Sequence, residues 1–109
     1  MSLNVEEIAS GMIGAAKGVV GERWPATQKY FESESRMFAE RLASIAAMHA
    51  EGLISEGRAR LHVEFQTEAW ETTLLAVQGL NQLMIEEALN AAIKVIRDAV
   101  NTSVKFVLL

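Results

Sequence analysis

Residues 70–100 read WETTLLAVQGLNQLMIEEALNAAIKVIRDAV, and this stretch decides the fold class. Trp70, Leu74, Val77, Met84, Ala88, Ala91, Val95 and Ala99 recur at the spacing of one face of an α-helix. Leu80, Leu83 and Glu87 widen that stripe, and the polar side chains Gln82, Glu86, Asn90, Arg97 and Asn101 keep to a narrow band. A helix so apolar around its circumference must be covered from more than one side.

Followed backwards, the helical pattern continues through Glu71, Glu68 and Glu64 to about Glu56, so the spacing predicts one helix over 56–104. Gly52-Leu53-Ile54-Ser55-Glu56-Gly57 precedes it and reads as a reversal, with Gly52 just past one periodic stretch and Ser55 placed to cap the next. On the other side of that turn, residues 26–51 put Phe31, Phe38, Leu42 and Ile45 on one face, with Met37 and Met48 beside them. Trp24-Pro25 interrupts the pattern, because proline disfavours helical geometry in the residue before it and suits a helix's first turn. A first helix over 4–23 lies ahead of this break, carrying Val5, Ile8, Met12 and Val19 on one side.

These elements give an all-α chain and a single domain over 1–109, since few residues favour strands and only one proline occurs. About 48 continuous helical residues would span roughly 70 Å, far beyond a compact globule of this length. The expected architecture is therefore a long antiparallel hairpin with its first arm kinked at Trp24-Pro25. It pairs with a second chain into an assembly like a four-helix bundle. The competing arrangement breaks the long helix near Gly79-Leu80-Asn81 and folds as a monomeric four-helix bundle, but two residues are few for reversing antiparallel helices.

Composition points the same way. Half of the 109 residues are apolar, more than a small monomer can bury while covering its exterior with polar groups. Gly14 and Gly18 have the small-xxx-small spacing that lets helix backbones approach closely. The end of the chain, Val104-Lys-Phe-Val-Leu-Leu109, leaves apolar side chains uncovered unless it docks, and a partner subunit is the economical cover. The expected interface residues are Gly14, Gly18, Trp70, Val77, Met84 and Phe106.

Several function classes lose support. The net charge is −4 and the ten basic residues are scattered from Lys17 to Lys105, which argues against nucleic acid. There is no cysteine, hence no disulfide, thiolate nucleophile or Cys-based zinc site. Residues Met1 to Ile8 do not form a signal peptide and no apolar run reaches the ~20 residues of a spanning helix, so the expectation is a cytoplasmic protein. Membrane-surface attachment through the first helix is disfavoured by Glu6, Glu7 and Glu22, which outnumber Lys17 and Arg23. Neither a nucleophile elbow nor a phosphate-binding glycine loop occurs, so an enzyme is the minority reading and no cofactor is expected.

One constellation could hold a metal. His49 and His62 lie at similar distances from the turn, and Glu34 and Glu87 sit among apolar neighbours, where a carboxylate must be paired, protonated or metal-bound. Ferritin-like carboxylate bundles use Glu-x-x-His, but Ala46 and Ala59 occupy the positions three before the histidines. The leading expectation is a self-associating structural or interaction protein, with a four-helix metal-binding protein as the alternative.

Overall fold

A computed structural model describes residues 3–77 and 80–109. Four α-helices account for most of them: α1 Val5–Val20, α2 Trp24–Ala50, α3 Glu56–Leu75 and α4 Gln82–Val104. No strand occurs among the described residues, and none of their helices is long and apolar enough to cross a membrane.

The sequence locates three of the four helix starts through a side chain that takes up a free backbone N–H group. Asn4 accepts from the Glu7 amide at 3.1 Å, Ser55 from Arg58 at 3.1 Å and Asn81 from Met84 at 2.9 Å. Acidic Glu6 and Glu7 occupy the first turn of α1, and Lys17 its last, matching the helix dipole at both ends. The first helix does not kink into the second. Gly21 takes φ +59°, the left-handed region that suits glycine, and a 3₁₀ turn over Gly21–Arg23 reverses the chain before Pro25 opens α2. α1 therefore runs antiparallel to α2, and Arg36 forms a two-pronged pair with Glu6 across them. The expected kinked arm is corrected to a hairpin, because glycine lets α1 end three residues before the Trp-Pro step.

The turn after α2 is where the sequence puts it, with Gly52 at φ +78° and Ser55 capping α3. The predicted helix over 56–104 is corrected to two. α3 ends at Leu75 and α4 starts at Gln82; Gly79 of the expected break lies outside the described residues. The break is wider than two residues, since Ala76 and Val77 have already left the helix and Asn81 caps the next one. α4 then returns along α1, so each helix is antiparallel to its neighbour in sequence and α4 closes the bundle. The result is 43 Å long, not the roughly 70 Å of an unbroken rod.

The core is a continuous apolar cluster through all four helices. α2 buries Phe31, Phe38, Leu42 and Ile45 as its periodicity demands. α4 buries Ile85, Leu89, Ala92, Ile96 and Val100, a stripe turned by about 100°, one residue, from the expected one. Of the expected stripe on α4 only Ala88 is in the core, and Val95 is 56% exposed. Both faces of α4 are apolar enough to be buried, and contact with α1 selects between them. Gly11 marks that contact: a Cβ there would stand 3.7 Å from Ile96 and 3.8 Å from Val95.

The last residues fold back on the bundle. Lys105, at φ +67°, ends α4, and the Asn101 carboxamide oxygen accepts from the Leu108 and Leu109 amides at 2.9 Å each. Its NH2 donates to the Leu109 carbonyl at 3.3 Å. Leu108 is buried, Phe106 lies against His49 with ring centroids 4.4 Å apart, and Arg60 donates to the Val107 carbonyl. The chain thus covers much of its own tail, an office the apolar pattern assigns to a partner.

Candidate functional site

The second helix presents a stripe beside its buried one. Tyr30, Glu34, Met37, Arg41 and Ser44 follow one another at intervals of four, three, four and three residues, which aligns them along one side of α2. Glu34 sits at the edge of the core, half-buried next to Phe38, and the other four are exposed. α3 lies along this stripe and supplies Gln66, Ala69, Trp70 and Thr73, so that the two helices enclose a cleft of about 340 Å³. Beyond Thr73 the cleft continues into a second hollow lined by Ala26, Tyr30, Ala76 and Val77. Together they form a groove running along α2 and α3.

The floor of the groove is apolar and rigid. Phe38 and Trp70 pack with ring centroids 5.5 Å apart and planes tilted by 38°, a favourable aromatic arrangement. The Trp70 indole N–H is buried and has no hydrogen-bond partner among the described residues, a situation that costs about 1–3 kcal/mol. The rim is polar. Burial pushes the Glu34 carboxyl above its ordinary pKa, and neither Glu34 nor Arg41 has an ion-pair partner among the described residues. They stand seven residues apart on the helix and do not pair with each other. The Thr73 hydroxyl donates to its own helix at the Ala69 carbonyl, 3.0 Å away.

This chemistry suits recognition better than catalysis. A carboxyl with a raised pKa in a cleft marks a candidate site, but among the described residues Glu34 is the only carboxylate lining the groove. Aromatic floor, methionine and isolated charges at the rim are the ingredients of a protein contact.

The four metal candidates are not brought together. Glu34 lines the groove, His49 is half-buried against Phe106, and His62 on α3 and Glu87 on α4 are exposed. Among the described residues no group of three or more His, Asp or Glu side chains could hold a metal ion. The expected interface residues also scatter. Gly14 and Gly18 are exposed on α1, and no side chain stands within 4 Å of where their Cβ atoms would be. Trp70 is buried in the chain's own core, while Val77, Met84 and Phe106 are half-buried. Sequence reasoning thus finds Glu34, Trp70 and Val77 of the groove but misses Tyr30, Arg41, Gln66 and Thr73. The four-three-four spacing on α2 is the signal that could have found the first two.

Comparison with known proteins finds no match: no family model fits this chain, and neither a curated protein nor a solved structure is significantly similar to it.

Proposed function

We propose that the protein is a small self-associating helical interaction protein, and that its contact surface is the α2–α3 side of the bundle. One observation carries this reading. Among the described residues, nine large apolar side chains stay exposed, and six of them, Tyr30, Met37, Leu53, Leu61, Phe65 and Leu75, belong to α2, α3 and the turn between them. The other three, Leu83, Val95 and Val107, stand on α4 and the tail, so the exposure is weighted toward α2, α3 and the turn that joins them.

Light scattering on a size-exclusion column tests the proposal. The expected mass is twice the 12.0 kDa of the chain, returning to that of one chain when Met37→Asp puts a charge into the contact. A wild-type protein that remains a single chain at about 1 mM overturns the reading, because any contact weaker than that is worth less than ~4 kcal/mol.

A further inference from the structure

We infer that two copies of this chain pair antiparallel through α2, about a two-fold axis that crosses the helix at Met37, with Glu34 of each copy facing the partner's Arg41. This rests on the proposed self-association and adds to it the occupant of the groove and its register. The argument is the order of residues on the exposed stripe. Read along the chain it runs Tyr30, Glu34, Met37, Arg41, Ser44, an aromatic, an acid, a methionine, a base and a small residue.

A two-fold axis at Met37 reverses that order on the second copy. It places the exposed ring of Tyr30 over the small Ser44, acid against base, and methionine against methionine. Every position meets its complement, and the two Glu34–Arg41 pairs satisfy charges that have no ion-pair partner among the described residues of one chain. The parallel alternative sets Glu34 against Glu34 and Arg41 against Arg41 at the same height, which repels. Methionine at the centre is suited to such a seam, being flexible, polarizable and 48% exposed in the single chain. Gln66, Ala69 and Thr73 of α3 wall the groove on the side where the partner's helix lies.

Available surface is sufficient. A specific contact takes about 800 Å² from each partner, about an eighth of this chain's 6549 Å². The stripe from Tyr30 to Ser44 spans roughly 21 Å of α2, and Gln66, Ala69 and Thr73 on the facing side of α3 extend the contact beyond one helix.

Charge reversal tests the register. Glu34→Arg alone makes both inter-chain pairs repulsive and should weaken dimerisation about tenfold or more; Arg41→Glu alone should do the same. An equimolar mixture of the two single variants restores both pairs in the heterodimer and should recover the wild-type mass by light scattering, with helical content by circular dichroism unchanged throughout. A dimeric wild type whose single variants stay fully dimeric overturns the antiparallel register but leaves self-association standing. Single variants that dissociate without recovery on mixing overturn it too. A wild type that is monomeric at about 1 mM overturns both readings together, and so removes a second copy as the groove's occupant in favour of another protein's helix.

Discussion

Replacing Asn101 with alanine removes three hydrogen bonds that hold the tail: acceptance from the Leu108 and Leu109 amides at 2.9 Å, and donation to the Leu109 carbonyl at 3.3 Å. At about 1 kcal/mol for each of the two shorter bonds, and less for the longest, the direct loss is about 2 kcal/mol. The loss is bounded by a second quantity. The tail can detach without the rest unfolding, so no substitution within it can cost more than its whole docking free energy. Burial of the Leu108 side chain supplies about 2 kcal/mol of that docking, and Leu108→Ala should lose a similar amount. The two substitutions should therefore not add: Asn101→Ala with Leu108→Ala should cost about 2–3 kcal/mol, because either change alone already releases the tail. Urea unfolding of the four proteins measures the cycle, and each single variant should melt about 10 °C lower. Amide exchange at residues 108 and 109 should rise to the rate of an unprotected chain. Asn101→Asp keeps an acceptor for both amides but sets its second oxygen against that of Leu109, so it should recover only part of the loss. Additive losses, or slow exchange at those amides in Asn101→Ala, would refute the clamp.

Two further outcomes follow from local geometry. Gly14→Ala and Gly18→Ala should each raise stability by about 0.5–1 kcal/mol in chemical denaturation, since both glycines are inside α1 with open space where a Cβ would stand; destabilisation, or a lowered assembly mass, would show that this face of α1 is covered after all. Glu34→Gln should leave the dilute protein slightly more stable at pH 7, by no more than about 0.5 kcal/mol because solvent still screens the side chain. The sign follows from the raised carboxyl pKa: the folded state favours the protonated acid, a contribution present at low pH and lost as pH rises through the folded-state value. The advantage of glutamine should accordingly shrink as pH falls through the raised folded-state value toward 4.5, the ordinary value, and be gone below it; a difference that grows on acidification would contradict it.

How far the fold is legible in the sequence depends on whether a residue's role is local. Asn4, Ser55 and Gly52 act through atoms within a few residues, and Ser55 and Gly52 read as a turn from the amino-acid order alone. Phe31, Phe38, Leu42 and Ile45 are legible because the opposite face of α2 is polar, leaving one way to bury the helix. On α4 that contrast fails. The stripe through Met84, Ala91 and Val95 and the stripe through Ile85, Ala92 and Ile96 are equally apolar, and only the position of α1 decides between them. The reversal at Gly21–Arg23 is hidden for a related reason, since Gly21 is one of four glycines in or beside α1 and nothing local distinguishes the one that takes a positive φ.

The same limit explains the candidate site. Glu34 stands out in the sequence because its neighbours Phe31 and Phe38 are apolar, and it does lie at the edge of the core. Its partners across the groove, Gln66 and Thr73, come from a helix whose periodicity is weak and whose side chains belong in part to the outside. That weakness is itself informative. α3 buries Ala59, Val63, Trp70 and Leu74 inward while Leu61, Phe65 and Leu75 face out, so it carries apolar groups on opposite sides. A helix of a closed bundle has no use for the outer set. The tail and α4 already cover the inner one, which leaves the outer groups of α3, with Tyr30 and Met37 on α2 and Leu53 in the turn, as the larger part of the apolar surplus that folding of one chain does not absorb; Leu83, Val95 and Val107 are the rest.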